Sequence, residues 1–264
     1  MAPKSSVILA LAALFLLGPL TSPTIAAPHD DPCRPGVHLS KEHPLTNKQT
    51  TKLLEGLRFW TGFKEIRIDA AGAVTLGNRA YLQTSSQTAR ALMAAAVDSH
   101  DSFTIQNRDH STVIAFARIQ DEFDCIDERG TRYRGWQIQV DFSDFNKLRG
   151  DHFVLAAFDP AINVLHELAH GVFGYQDALD GTDDLGQCER HVNRIRAELG
   201  MPQRLRYHGK KVRTLDDFEI AKTKLIFVDS VSGPNNQREY VVWFDLNSVV
   251  DIDKAKSRKM LTRK

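Results

Sequence analysis

The sequence predicts an α+β fold in which a mostly antiparallel β-sheet backs two central helices. Segments with helical apolar spacing lie at 46–63 and 85–99, and several short segments with alternating apolar residues follow them. Two further helical patterns, at 161–175 and 187–199, come after those strand candidates. This order of helices, strands and helices suggests an arrangement in layers.

The first 26 residues have the pattern of a secretory signal peptide. Lys4 supplies the positive charge, 7–17 (VILALAALFLL) the apolar run, and 21–27 the small residues of a cleavage site, expected after Ala26. The apolar run is too short to favour a membrane span. We therefore expect a secreted or periplasmic protein without stable membrane association.

The remaining composition is that of an ordinary globular protein. Lys and Arg total 34 and Asp and Glu total 33, so the charge balance gives no indication of a nucleic-acid partner. The basic segment 253–264 is expected to be a solvated terminus rather than a binding arm.

The N-terminal half contains elements that we assign to packing. Thr46 is a candidate N-cap for the helix at 46–63, whose apolar residues recur at helical spacing. Residues 66–76 alternate around Ala-Gly and predict a β-hairpin. The segment before them, 27–44, is rich in Pro, Asp and His and predicts a linker or an extended arm.

Strand patterns dominate the middle and the end of the chain. Alternation predicts strands at 103–107, 113–119, 135–142 and 151–158, the last running directly into the helix at 161–175. Near the C-terminus, 219–228 and 239–246 flank a Gly-Pro-Asn-Asn turn and predict a second hairpin.

The helix at 161–175 (AINVLHELAHGVFGY) carries the pattern H-E-x-x-H, formed by His166, Glu167 and His170. Histidines four residues apart on a helix lie on one face, so both imidazoles can reach one zinc ion. The glutamate can then take a proton from water at the open coordination position. Asp159 as N-cap, Pro160 in the first turn, and Gly171 and Gly174 at the end fit the required helix.

A catalytic zinc site needs a third protein ligand. The metzincin pattern requires a Gly three residues after the second histidine and a His or Asp six residues after it. Here Gly174 and Asp177 each come one residue too late for that pattern. One residue is about 100° of helical rotation, so we favour a carboxylate from the next helix. Glu189 is the candidate, and its competitors are Asp177 and His191.

The motif and the block ERHVNRIRAELGMPQRLRY resemble the zincin peptidases of the gluzincin type, and in particular bacterial effector- and toxin-associated zinc peptidases. The matching residues of the second block are Asn193, Ile195, Arg196, Glu198, Leu199, Gly200, Arg204 and Tyr207. The resemblance implies a zincin-like fold and a glutamate helix after the motif. We accordingly divide the chain into a signal peptide (1–26), an extended segment (27–45), a catalytic domain (46–208) and a C-terminal hairpin with a basic tail (209–264).

These residues predict a zinc metalloendopeptidase acting on a peptide or protein. His166, His170 and Glu189 would hold Zn²⁺, and Glu167 would act as general base. Tyr207 would stabilise the oxyanion, and the alternatives for that role are Arg204, Tyr175 and His208. Asn193 could orient a ligand histidine, and the strand at 151–158 could hold an extended peptide. The alternatives are a non-catalytic exported zinc protein and a zinc hydrolase that acts on a non-peptide amide.

Three cysteines, Cys33, Cys125 and Cys188, allow one disulfide in an exported protein. The sequence does not select the pair, although Cys188 lies on an apolar helical stripe that favours burial. A second hypothesis is that the Cys33 thiolate occupies the open zinc position and keeps the enzyme latent.

Overall fold

The structure is a computed structural model that describes residues 33–111, 116–126, 129–179, 182, 184–208, 210–214, 217–229 and 238–245. The predicted signal peptide and the basic tail lie outside these residues. Within the described ranges, no helix combines the length and the apolar composition needed to cross a membrane.

Four of the six described helices lie where the sequence predicts a helix. In chain order they are α1 (Asn47–Thr61), α2 (Gln87–Val97), α3 (Phe142–Lys147), α4 (His152–Ala156), α5 (Pro160–Phe173) and α6 (Gly186–Glu198). Thr46 caps α1 through a capping box with Gln49, as the N-cap prediction required, and Ser86 caps α2. The two shortest helices, α3 and α4, were not predicted.

The strands form three separate sheets. They are β1 (Gly36–Leu39), β2 (Arg67–Ile68), β3 (Val74–Thr75), β4 (Ser102–Asn107), β5 (Ala117–Ile126), β6 (Arg132–Val140), β7 (Gln203–Arg204), β8 (Lys210–Thr214), β9 (Asp217–Val228) and β10 (Glu239–Asp245). The main sheet has the order β1-β4-β6-β5, and a second sheet joins β7, β8 and β10 to β9. The predicted hairpins are present as β2–β3 and β9–β10.

The α+β class is confirmed, but the main sheet is not mostly antiparallel. Strands β1, β4 and β6 run parallel, and only β5 at the edge is antiparallel to its neighbour β6. The sequence prediction missed β1, because its four residues lie in the segment 27–44 that we assigned to a linker or an extended arm. The second sheet is antiparallel throughout.

The strand predicted at 151–158 is wrong, because residues His152–Ala156 form α4. Asp151 accepts a hydrogen bond from the backbone N–H of Phe153 and so starts a helical turn. Similarly, the strand predicted at 135–142 ends at Val140, since Asp141 caps α3. An apolar run of this length has no periodicity that separates strand from short helix.

The central helix α5 lies between the other helices and the main sheet. Nearly all of its residues are buried, and it packs on α1, α2 and α6 on one side and on β5 and β6 on the other. Close approach to the sheet requires Gly171, because a Cβ atom there would come within 2.4 Å of the Phe103 ring. The site on α5 is therefore fixed by packing from several directions.

The C-terminal hairpin shares the same hydrophobic core as the helices. Phe227 and Phe244 are buried in it, and the ring centroids of Phe158 and Phe227 are 6.1 Å apart. Arg149, after α3, also forms a bridge to Trp243 on β10. The hairpin thus packs against the segment that leads into α5.

A disulfide joins Cys33 to Cys125, which ties the N-terminal segment to the edge strand β5. This answers the question of pairing that the sequence left open. It also removes Cys33 as a thiolate that could reach a metal, since its sulfur is already bonded. Cys188 is the free thiol among the described residues, and it is buried.

Candidate metal centre

Helix α5 holds the two histidines of the motif in a defined orientation. Asp159 Oδ1 accepts hydrogen bonds from Ile162 N (2.8 Å) and from Trp60 Nε1 of α1 (3.1 Å). Pro160 occupies the first turn, and Gly174 closes the helix in the left-handed conformation with φ 66°. Asp159 and Gly174 thus mark the start and end of the helix as the sequence predicts, whereas Gly171, which was also expected at the end, lies inside the helix.

The Nε2 atoms of His166 and His170 face the same point, occupied by the carboxylate of Asp177. The Nε2 of His166 is 3.0 Å from Asp177 Oδ1, and that of His170 is 3.4 Å from Asp177 Oδ2. The other ring nitrogen of His170, Nδ1, lies 2.8 Å from the carbonyl oxygen of Tyr175. A fixed Nδ1 leaves the Nε2 lone pair available to a metal ion.

Asp177 reaches the histidines because the chain turns back directly after α5. The rotation of about 100° per residue, on which the prediction rested, holds only inside a helix. The helix ends at Phe173, and the left-handed Gly174 redirects the chain. Asp177 then pairs with Gly186 at the start of α6 through an isolated bridge, which fixes its position.

Cys188 completes a group of four potential ligands. One donor atom from each of His166, His170, Asp177 and Cys188 lies within 4.8 Å of the other three. Imidazole, carboxylate and thiolate are all zinc ligands, and four such atoms suit tetrahedral coordination. The donor set therefore fits a zinc ion. Cys188 is the one member of the set that was not predicted as a ligand from the sequence.

Glu189 does not lie with the Nε2 atoms, in contrast to the sequence prediction. Its Oε1 accepts a hydrogen bond from Arg196, and its Oε2 is 3.4 Å from Arg204 Nη1. The same Oε2 is 3.6 Å from His166 Nδ1, on the far side of the ring from Asp177. Glu189 is therefore positioned to orient His166 rather than to take the place of the third ligand.

The buried network around Glu189 explains this difference. Burial alone would raise the pKa of Glu189, but the charges of Arg196 and Arg204 dominate and lower it to about 2. Arg196 is itself fully buried and donates to the carbonyl of Ala157 and to the side chain of Asn193. A carboxylate committed to two guanidinium groups has little capacity left for a metal ion.

Tyr207 lies over the site, but its hydroxyl is already hydrogen-bonded to Asp177. The hydroxyl donates to Asp177 Oδ2 at 2.6 Å, and the ring stacks on His166 with centroids 5.9 Å apart. Burial is the largest factor that raises the pKa of Tyr207, followed by the negative charge of Asp177. Tyr207 thus orients Asp177, whereas the predicted oxyanion role requires a free donor.

Glu167 is buried between the two histidines without a Lys or Arg partner in the described part of the chain. Its Oε2 accepts a hydrogen bond from the backbone N–H of Ile119 on the edge strand β5, at 2.8 Å. Burial raises the pKa of Glu167, and the nearby His166 and His170 counteract this only in part. A buried carboxyl group with a raised pKa is a better proton acceptor than an exposed one, as a general base needs to be.

Among the four potential ligands, Asp177 supplies the negative charge that balances the two histidines. Burial alone would raise the pKa of Asp177, but hydrogen bonds with His166, His170 and Tyr207 hold it well below its usual range. Burial would lower the pKa of His170, and the bond to Asp177 with further contributions from Cys188 and Glu167 raises it to about 11. A proton therefore occupies this cluster when no cation does, and a metal ion would replace it.

The remaining candidates lie near the site in other roles. Asn193 bonds to the backbone of Arg204 rather than to a histidine. His191 lies against the rings of Phe173 and Tyr175, and burial lowers its pKa. His208 packs edge-on against Tyr207. None of these three side chains joins the group of potential ligands formed by the described residues.

Comparisons of this chain with family models, with curated proteins and with solved structures find no match.

Proposed function

We propose that this protein is a zinc-dependent metallopeptidase in which His166, His170 and Asp177 hold the metal. The proposal keeps the predicted zinc hydrolase and moves the third ligand from Glu189 to Asp177. It rests on the distances of 3.0 Å and 3.4 Å between Asp177 and the two Nε2 atoms. Three such ligands would leave one coordination position for water, as catalytic zinc sites do.

The buried carboxyl group of Glu167 is the observation that supports hydrolysis, as distinct from metal binding alone. Burying a carboxylate without a Lys or Arg partner among the described residues is unfavourable, so the position of Glu167 in the middle of α5 requires a reason. A general base beside the metal position supplies that reason. When bound, zinc supplies the Lewis acidity that polarises the scissile carbonyl and acidifies the attacking water.

The residues of the chain then carry the proton transfers. Glu167 accepts a proton from the attacking water as the oxygen of that water bonds to the carbonyl carbon. It returns that proton to the leaving nitrogen when the carbon–nitrogen bond breaks. Tyr207 and Glu189 hold Asp177 and His166 in place during both steps.

The edge strand β5 offers a way to hold an extended peptide. It is the last strand of the main sheet, and its outer edge pairs with no other described strand. The N–H of Ile119 on that edge meets Glu167, so a peptide added beside β5 would pass close to the general base. This replaces the strand predicted at 151–158, which is helical.

A second candidate is a non-catalytic metal centre closed by Cys188. The observation that favours it is the buried thiol within 4.8 Å of the other three donors. A thiolate in the fourth position would exclude water, as in structural zinc sites. The two candidates differ in whether the loaded protein has an open position.

Hydrolysis of an unfolded protein substrate by the zinc-loaded chain tests the proposal. We expect fragments from the wild type, and none after chelation of the metal or in Glu167→Gln. The Gln variant should retain zinc, because Glu167 is not among the proposed ligands. Undiminished cleavage by Glu167→Gln would overturn the role of Glu167, and zinc binding without any cleavage would favour the closed centre.

A further inference from the structure

A polar cavity of about 620 Å³ lies on the face of the main sheet opposite α5. Its lining comes from the end of β4 and the turn after it, from Arg118 and Gln120 of β5 and from Gln139 of β6, and all of these residues are polar. Side chains of successive strand residues point to opposite faces. Arg118 and Gln120 therefore line the cavity, while the side chain of Ile119 between them packs against the hydrophobic core on the other face.

The cavity contains two arginines that lack partners among the described residues. Neither the Arg108 nor the Arg118 guanidinium forms an ion pair or hydrogen bond there, and the Nε of Arg108 is shielded from solvent without an acceptor. The carboxylate of Asp109, also in the lining, is already satisfied by Gln49 Nε2 (2.6 Å) and Ser143 N (2.9 Å). Two guanidinium groups face one carboxylate in this lining, so its net charge is positive.

Amide groups add further hydrogen-bonding capacity. Gln139 donates to Gln120 Oε1, which fixes both side chains across β5 and β6. Gln106, which pairs with Gln139 in the sheet, is 95% buried, and its Oε1 has no partner among the described residues. The Nε of Arg108 in the lining and the Oε1 of Gln106 next to it in the sheet are therefore both without a partner among the described residues, which indicates a polar ligand site rather than a packing defect.

We infer that this cavity is the subsite that binds an acidic side chain of the peptide substrate. The inference rests on the proposed peptidase function and adds its specificity. A peptide added to the edge of β5 directs every second side chain to the face where Arg118 lies. A carboxylate there can accept from Arg118 and Arg108, and the cavity is large enough to hold a Glu side chain.

Cleavage of a peptide library by the zinc-loaded wild type tests this subsite. We expect a preference for Asp or Glu at one fixed position relative to the cut. Arg118→Gln and Arg108→Gln should each reduce kcat/KM for a Glu-containing peptide about tenfold, equivalent to about 1.4 kcal/mol, and leave its Gln-containing counterpart unchanged. Arg194→Gln, an exposed arginine on α6, is the matched control and should change neither.

Binding of a small probe separates this inference from the peptidase proposal. In NMR titrations of the wild type, N-acetylglutamate amide should shift the side-chain amide signals of Gln120 and Gln139, and N-acetylglutamine amide should not. Both arginine variants should abolish the shifts. Arg118→Lys, which keeps the charge, should retain part of them.

The outcomes distinguish the two ideas. Cleavage without acidic preference, or with a preference that both arginine variants retain, overturns the subsite and leaves the peptidase standing. If the probe binds but no peptide is cleaved, the cavity is not a subsite for a peptide substrate, and the inference is overturned. Stronger displacement of the probe by inorganic phosphate than by glutamyl peptides would assign the cavity to a small anion instead.

Discussion

The Nε2 atom of His166 and the Oδ1 atom of Asp177 lie 3.0 Å apart, although Asp177 belongs to the loop after α5 and not to the helix. The second oxygen of Asp177 is 3.4 Å from His170 Nε2. One carboxylate thus stands opposite both imidazoles. We take this relationship as the basis of the proposed metal centre.

Replacing Asp177 should remove the metal. Asp177→Ala deletes one of three proposed ligands, so we expect zinc affinity to fall by more than the roughly 10- to 100-fold typical of an outer-shell change. Competition with a chromophoric chelator measures this. Asp184→Ala, which removes an exposed carboxylate of the same loop, is the control and should bind zinc as the wild type does. Equal zinc affinity in Asp177→Ala would contradict the assignment.

Glu189 and Arg196 should contribute to stability as a pair. Both are buried, so Glu189→Gln leaves the Arg196 guanidinium without a carboxylate partner, at a cost of about 3–5 kcal/mol in free energy of unfolding. Arg196→Met should cost less, because Glu189 keeps its 3.4 Å contact with Arg204. The double variant should lose less than the sum of the two. Urea unfolding of the four proteins gives the coupling free energy. Strictly additive losses would show that the pair is not coupled.

Glu189→Gln also separates the two possible roles of this residue. If Glu189 orients His166 through Nδ1, Glu189→Gln should lower zinc affinity about 10- to 100-fold. Glu189→Asp restores the carboxylate, although on a shorter side chain, and should recover part of that affinity. If it were a ligand, the loss should match that of Asp177→Ala. Both variants need to be measured under conditions in which circular dichroism confirms that they are folded.

Tyr207→Phe tests whether the hydroxyl acts on Asp177 or on the substrate. Loss of the 2.6 Å hydrogen bond to Asp177 should weaken zinc binding about tenfold. With zinc at saturation, kcat should then return close to the wild-type value. A fall in kcat with unchanged zinc affinity would instead support the oxyanion role that the sequence predicts.

Glu198 should make stability depend on pH. Its carboxylate, at the end of α6, accepts hydrogen bonds from Ser86 Oγ (2.6 Å) and Thr88 N (3.0 Å) at the start of α2. Burial opposes these bonds, but together they lower the pKa of Glu198. The lowered pKa means that its contribution is present above the ordinary value of 4.5 and is lost as pH falls below it.

Glu198→Gln should therefore lower the free energy of unfolding near pH 7 by about 1 kcal/mol, a value reduced by solvent exposure. The difference from the wild type should shrink toward pH 3. Chemical unfolding at several pH values measures both effects. Glu55→Gln, an exposed carboxylate on α1, is the control. A difference that stays constant with pH would contradict the assignment.

The sequence was sufficient for the features that depend on local chemistry. Asp159, Pro160 and Gly174 mark the ends of α5 because caps are set by neighbouring residues. The spacing of His166 and His170 likewise follows from one helical turn. Each of these features could be read without knowledge of the rest of the fold.

The features that sequence reasoning missed depend on contacts between distant segments. The position of Asp177 depends on how the chain turns at Gly174 and pairs with Gly186, and helical geometry does not describe that turn. Glu189 has the residue type and the helix expected of a ligand, but Arg196 and Arg204 bind its oxygens. A signal for this was present, since both arginines stand in the block that carries the resemblance.

Zinc K-edge X-ray absorption of the loaded protein identifies the atoms around the metal and so tests whether His166, His170 and Asp177 are its protein ligands. We predict only nitrogen and oxygen neighbours at about 2.0–2.2 Å, with two imidazoles, in the wild type and in Cys188→Ala alike. A sulfur neighbour at about 2.3 Å in the wild type, absent from Cys188→Ala, would contradict the account and show a centre closed to water.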